Sequence, residues 1–264
     1  MAKTKLEGPK VLFLDIETAP IVAYVWSLWD QNVGLNQIKS DWHLLSWSAK
    51  WLGAPDVLYQ DQRTSKKIDD DTKLLKGIWK LIDEADIIVT QNGKAFDEKK
   101  LNARFILAGL KPPSPYRHID TKQIAKRVFG FTSNKLEYMA DKINTKYKKQ
   151  KHAKFSGFDL WKECLAGNVQ AWNEMEKYNK YDVLALEELY LKMQPWDNTL
   201  KRGLYTVSPS IVCDCGSHNL QRRGYATTTT GKYARLQCQD CGTWRRGSVN
   251  LLSKEKRQSI LRKT

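Results

Sequence analysis

The sequence predicts an α/β protein, with a mixed sheet flanked by helices over most of the chain and a small cysteine-rich module after it. Three features carry that reading. Strand-like apolar runs and amphipathic helical patterns alternate through the first three quarters of the chain. PWDNTLKRGLYTVSPS (195–210) then breaks the periodicity and is rich in turn formers. Finally, four of the five cysteines fall between residues 213 and 241. The expected organisation is one domain over residues 1–200 and a second over 201–264. The chain has 264 residues, 41% of them hydrophobic, which suffices for one sizeable core and an appendage.

The elements follow in order. Residues 10–17 are apolar on both faces, as a central strand covered on both sides requires. HLLSWSAKW (43–51) and DVLYQ (56–60) read as two more strands, with Gly53-Ala54-Pro55 as the turn between them and a loop containing Asn32 and Gly34 before them. DDTKLLKGIWKLIDEA (70–85) places Leu74, Leu75, Ile78, Leu81 and Ile82 at helical spacing. DIIVTQN (86–92) is a fourth strand. FDEKKLNARFILAGL (96–110) is a helix ending near Gly109, and Pro112-Pro113 bars its continuation. YRHID (116–120) reads as a short strand, and 133–143 and 168–193 as helices. Trp47, Trp79 and Trp172 occupy periodic apolar positions and are expected in the core, with Cys164 as a small buried hydrophobe.

Formal net charge is +15. From Lys201 onward there are 13 Lys and Arg against 3 Asp and Glu, so most of the excess lies in the last quarter. A polyanionic partner is expected, and nucleic acid is the usual one. No apolar run approaches the roughly 18 residues of a membrane span, and MAKTKLEGPK does not read as a secretory signal, so a cytoplasmic protein with no membrane partner is expected.

VLFLDIETAP (11–20) sets Asp15 and Glu17 one residue apart in an apolar run. On a strand they project from one face with Cα atoms roughly 6.5–7 Å apart. Two charges that close resist burial together. A divalent cation removes the difficulty, and hard oxygen ligands suit Mg²⁺ or Mn²⁺. The alternative is a salt-bridged or solvated pair at a strand end. In TQNGKAFDEKK (90–100), Asp97 opens a helix, where a carboxylate also favours the helix dipole. In YNKYDVLALEEL (178–189), Tyr178 and Asp182 are four apart on one helical face.

LDIET, NGKAFD and YNKYD, in that order, resemble the three motifs of the DEDD 3′→5′ exonucleases, a family that includes polymerase proofreading domains and ribonuclease D. The resemblance spans about residues 10–195, and 118–143 is similar to the segment such proteins carry between the second and third motifs. Tyr178 stands four residues before Asp182, and Lys177 stands five before it, so the chain is similar to the tyrosine branch rather than the histidine branch. The resemblance implies a ribonuclease H-like mixed five-stranded sheet and a 3′→5′ exonuclease with two Mg²⁺ or Mn²⁺ ions. Asp15 would bridge both ions, Glu17 and Asp182 would complete the one that activates water, Asp97 would hold the second, and Tyr178 would orient the attacking water. It also implies that Asn92 lies near the terminal nucleotide, with a turn role before Gly93 as the alternative. Tyr181 is expected to pack. DNA is favoured over RNA, with single strands or 3′ ends as the substrate. The rival readings are a structure-selective endonuclease on the same fold and a non-catalytic nucleic-acid-binding protein.

VCDCGSHNLQRRG (212–224) and LQCQDCGTWRRG (236–247) look like the halves of a zinc ribbon. Cys238 and Cys241 form a well-spaced knuckle. Cys213 and Cys215 are one residue short of that spacing, so Cys213 is the uncertain ligand and His218 its alternative. One structural Zn²⁺ is expected. Around the cysteines, Arg222, Arg223, Tyr225, Lys232, Tyr233, Arg235, Trp244, Arg245 and Arg246 interleave cations with aromatics, which suits phosphate contact and base stacking. Lys148, Lys149 and Lys151, in the basic run 146–154, are further candidate nucleic-acid contacts.

Overall fold

A computed structural model describes residues 8–148, 154–206 and 209–261. Lys149 and Lys151 lie outside the described residues. In chain order the elements are β1 (Val11–Thr18), β2 (Val22–Ala23), β3 (Ile38–Ser40), β4 (Leu44–Trp51), β5 (Leu58–Asp61), α1 (Thr72–Glu84), β6 (Ile87–Thr90), α2 (Asp97–Leu107), β7 (Arg117–Asp120), α3 (Thr121–Val128), α4 (Leu136–Ile143), α5 (Asp159–Leu165), α6 (Val169–Met193), β8 (Leu220–Thr228), β9 (Gly231–Cys238), β10 (Trp244–Arg246) and α7 (Lys254–Gln258). The chain divides into two compact units, Lys10–Tyr190 and Leu191–Thr264 with Met1–Pro9. Among the described residues no helix is long and apolar enough to cross a membrane.

The larger unit is built on a five-stranded sheet of order β5-β4-β1-β6-β7. β1 and β5 run antiparallel to β4, whereas β6 is parallel to β1 and β7 to β6, so the sheet is mixed. Alternation along β1 sets the faces. Leu12, Leu14 and Ile16 join a buried cluster with Leu74, Leu75, Ile78 and Ile82 of α1 and Leu101 and Phe105 of α2. Phe13 points the other way and meets Tyr190 of α6 edge-on, ring centroids 5.8 Å apart. By the same alternation Asp15 and Glu17 follow Phe13 onto the α6 side.

Two polar clamps hold helices to the sheet, one for α2 and one for α6. Asp71, 1% exposed, takes two bonds from the Arg104 guanidinium of α2 at 2.8 and 2.6 Å and one from the Leu44 backbone N–H at 2.8 Å. Arg63, just past β5, reaches Asp61 and Glu176, both at 2.6 Å, and Asn173 at 2.9 Å, tying α6 to the sheet edge. α2 ends as its sequence requires. Gly109 adopts a φ of +70°, and the Leu110 N–H reaches back to the Phe105 carbonyl at 2.9 Å.

The loop containing Asn32 and Gly34 is flanked by the short paired strands β2 and β3, which the sequence did not single out. Two or three residues per strand are too few to show an alternating pattern. The single-letter periodicity likewise does not single out α3 and α5, which have eight and seven residues. Trp47 and Trp172 are buried, Cys164 is fully buried, and Trp79 packs half-buried against the larger cluster.

The smaller unit contains an antiparallel sheet of order β10-β9-β8 beside the cysteines. Cys213, Cys238 and Thr243 are among its buried residues, and the Thr243 hydroxyl donates to the Pro195 carbonyl at 2.7 Å.

Candidate active site and metal centre

Asp15 and Glu17 stand on β1, Asp97 opens α2, and Tyr178 and Asp182 lie one turn apart on α6. The fold brings all five together. Asp97 Oδ1 accepts from the Ile16 backbone N–H at 3.2 Å, which places the α2 carboxylate against the strand between the two β1 acids. Tyr178 hydrogen-bonds the Asp182 carboxylate. Tyr181, by contrast, donates its hydroxyl to the Lys148 carbonyl and packs edge-on against Tyr147, with centroids 5.7 Å apart.

The carboxylates raise one another's affinity for protons. Burial, then the charges of Glu17, Asp182 and Asp97, pushes Asp15 well above the ordinary carboxylate range. Burial, reinforced by the charge of Asp182, lifts Glu17 to about 8. Burial lifts Asp97 and Asp182 each to about 7. Burial, with the neighbouring carboxylates, also holds the Tyr178 phenol protonated far beyond its ordinary range. Their partners are neutral donors: Asn179 Nδ2 to Asp15 Oδ2 at 2.6 Å, Trp161 Nε1 to Glu17 Oε2 at 3.1 Å, the Ile16 N–H and the Tyr178 hydroxyl. Among the described residues no Lys or Arg forms an ion pair with any of the four acids. Four crowded acids, Asp97 buried and Asp15, Glu17 and Asp182 half-buried, without a compensating cation are compatible with divalent metal, and hard oxygen donors fit Mg²⁺ or Mn²⁺.

Asn179 lies inside the YNKYD stretch and Trp161 outside every motif, but the roles of both appear only in space. Asn179 is fully buried and takes its orientation from Ser46, whose hydroxyl donates to Asn179 Oδ1 at 3.2 Å. A third such residue is Asp120, 4% exposed, which accepts from the N–H groups of Asn92 at 2.9 Å and Lys94 at 3.3 Å. Asn92 itself has φ +66° and its side chain accepts from Lys122 Nζ at 3.1 Å, so it forms the turn that leads into α2. Gly93 follows because a Cβ there would lie 2.2 Å from Thr90 Oγ1. Beside Glu17 opens a cleft of about 590 Å³ walled by Trp161, Trp42, Phe158 and Lys100. The Lys100 ammonium lies 3.6 Å over the Trp42 ring.

In the smaller unit, the Sγ atoms of Cys213, Cys215, Cys238 and Cys241 all lie within 4.8 Å of one another. Among the described residues no other set of three or more His, Cys, Asp or Glu does so. The pairs Cys213–Cys241 and Cys215–Cys238 are 3.6 and 3.8 Å apart, close to the ~3.8 Å that tetrahedral Zn–S bonds of about 2.3 Å impose. The short first knuckle fits because the Gly216 N–H closes a four-residue turn onto the Cys213 carbonyl at 2.8 Å, whereas in the second knuckle Gly242 reaches back four residues to Cys238 at 3.0 Å. Both glycines have positive φ, +97° and +76°. His218 is exposed and stands outside the sulfur cluster, its Nδ1 3.3 Å from the Ile211 carbonyl. Burial raises Cys213 beyond the usual thiol range and lifts Cys215 to about 11. Burial also acts upward on Cys238, but the backbone N–H groups of Cys241 and Asp240 outweigh it and bring that thiol down to about 7. The cluster is compatible with a zinc ribbon.

A model of the RNase_H superfamily matches residues 51–194, more than half of the chain, and the chain belongs to that superfamily. The matched span contains Asp97, Tyr178 and Asp182, and Asp15 and Glu17 precede it. Among solved structures, the fold is similar to that of the family B DNA polymerase from the hyperthermophilic archaeon Pyrobaculum calidifontis, with a TM-score of 0.51 and 14% identity. The likeness covers 71% of this chain and 25% of the polymerase, so this chain corresponds to about a quarter of that protein's length. No curated protein sequence matches significantly.

Proposed function

We propose that the protein is a metal-dependent 3′→5′ exonuclease acting on single-stranded or frayed 3′ ends of DNA, with residues 1–200 as the catalytic domain and 201–264 as a basic zinc ribbon that binds the nucleic acid. Membership of the RNase H superfamily supports hydrolysis of nucleic acid. The observation that carries the reading is the convergence of Asp15, Glu17, Asp97 and Asp182 from three elements, with no cationic partner among the described residues and with Tyr178 against Asp182.

Asp15, Glu17, Asp97 and Asp182 would hold two Mg²⁺ or Mn²⁺ ions, which when bound lower the pKa of water and stabilise charge on the attacking and leaving oxygens. The chain's own groups prepare that site. Asn179 fixes the Asp15 carboxylate, and Trp161 fixes that of Glu17. Burial favours the neutral phenol of Tyr178, which suits it to orient water by hydrogen bonding rather than to serve as the base. The aromatic cleft beside Glu17, with the Lys100 ammonium at its wall, suits a nucleobase and its phosphate. Arg245 donates to Asp214 at 2.8 Å and to the Asp197 carbonyl at 2.7 Å, so its role is to brace the ribbon.

Polarity is the discriminating property. A linear oligonucleotide labelled at its 5′ end should yield a ladder shortening from the 3′ end with Mg²⁺ or Mn²⁺, and a circular single strand should survive. Cleavage of the circle would replace the exonuclease with an endonuclease on the same fold.

A further inference from the structure

The three-stranded sheet of the smaller unit is exposed on nearly every residue of β8 and carries Arg222, Arg223, Lys232, Arg235, Arg245 and Arg246, with no Asp or Glu in any of its three strands. A sheet of this composition lacks the apolar face that would bury it against protein, and its charge selects a polyanion. Its register then sorts the side chains onto two faces, because directly paired residues and residues two apart share a face. Trp244 pairs with Gln237 and Arg246 with Arg235, so Tyr233, Arg235, Trp244 and Arg246 lie together. Tyr225 pairs with Ala234 and Arg222 with Leu236, so Arg222, Tyr225, Lys232 and Arg245 lie on the opposite face.

The two faces are not equivalent. On the first, cations and rings interleave across the strands, with the Arg246 guanidinium 4.1 Å from the Tyr233 ring and that of Arg235 5.2 Å from the Trp244 ring. Trp244, Arg235 and Arg246 are all exposed. Tyr233 and Gln237, the partner of Trp244, are four residues apart, which spaces the two rings roughly 13 Å along the strands. The second face offers one ring, Tyr225, with Lys232 4.0 Å above it, and then Ala234 and Leu236. Arg222 also lies on this face, 5.4 Å from the same ring, and its third cation, Arg245, is tied to Asp214 and to the Asp197 carbonyl.

We infer that the Tyr233–Arg235–Trp244–Arg246 face of the ribbon is a stacking surface for single-stranded nucleic acid, and that the Tyr225 face is not. The rings stack bases and the guanidiniums meet the phosphates between them, a combination that tolerates any sequence. This inference rests on the nucleic-acid reading proposed above.

The test is fluorescence anisotropy with a 5′-fluorescein thymidine 20-mer and full-length protein carrying Asp15→Asn. Zinc content and melting temperature serve as checks on folding. Trp244→Ala and Tyr233→Ala should each weaken affinity roughly 5–150-fold, the range for loss of one base–aromatic stack. Tyr225→Ala should bind as the parent does. If either ring variant loses zinc, Arg235→Gln with Arg246→Gln carries the test, and the log–log salt slope should become shallower by about 1.4, or 0.7 per lost phosphate contact. Equal losses from Tyr225→Ala and Trp244→Ala, or no loss from any variant, would overturn the face assignment while leaving the nuclease reading standing. A parent that binds no oligonucleotide at all would remove the nucleic-acid reading itself.

Discussion

Asp15, Glu17, Asp97 and Asp182 hold protons far more tightly in the fold than in the open chain, because burial and their mutual charge penalise the anions. The consequence for stability has a definite sign. Their ordinary values lie near 4, and burial lifts them in the fold to about 7 for Asp97 and Asp182 and about 8 for Glu17. Between those limits the folded protein binds more protons than the unfolded one, so metal-free stability falls as pH rises from about 4 to 8. Divalent cations compete with the same protons. The stabilisation conferred by Mn²⁺ should therefore be small at pH 5 and large at pH 8. A thermal melt series across that range, with and without Mn²⁺, reads both trends, and a Mn²⁺ shift independent of pH would count against the carboxylates as its ligands. Tyr178→Phe should leave that Mn²⁺ stabilisation in place while lowering hydrolysis by about 10–10³-fold, as loss of a positioning hydroxyl does. Abolition of Mn²⁺ binding in this variant would show that Tyr178 has a different role. The sequence displayed these acids because i,i+2 and i,i+4 spacings are local. It did not display Asn179 or Trp161, whose bonds to Asp15 and Glu17 span 164 and 144 positions. Such pairings exist only once α5 and α6 are packed against β1.

At the scale of elements, the pattern of apolar residues was sufficient for β1, β4, α1 and α6, each of which repeats its period several times. α1 is the clearest case, with Leu74, Leu75, Ile78 and Ile82 all buried at the spacing the sequence shows. Where the pattern stopped, it stopped for physical reasons. β2 and β3 have two and three residues, below one full alternation on each face. The ribbon strands are exposed on both sides, so no hydrophobic period marks them, and only their cysteines and glycines were legible. The shortened Cys213-Asp214-Cys215-Gly216 knuckle departed from the usual spacing, and the Gly216-to-Cys213 turn is what accommodates it. If those knuckles hold zinc, the purified protein should contain about one zinc per chain, because a structural site uses four ligands and one ion. Cys238→Ser should lose that zinc and unfold the ribbon strands locally. Full zinc content in Cys238→Ser, measured by atomic emission on desalted protein, would contradict a site at this cluster.

The whole molecule combines a mixed-sheet unit carrying an uncompensated acidic cluster with a smaller unit carrying much of the +15 net charge. The uneven charge is visible in composition alone, because the cations crowd the last quarter while the paired acids lie upstream. An acidic cluster repels a polyanion unless metal neutralises it, so in the proposed nuclease metal and substrate binding should be linked, with the cations of the smaller unit supplying affinity that does not depend on the cluster. The central claim is that the Asp15 cluster hydrolyses nucleic acid with divalent metal. Its most direct test compares wild type and Asp15→Asn on an end-labelled single-stranded DNA in Mn²⁺, with a binding assay on the same two proteins. The account predicts hydrolysis by wild type only, with both proteins binding the DNA. Hydrolysis at a wild-type rate by Asp15→Asn would contradict it.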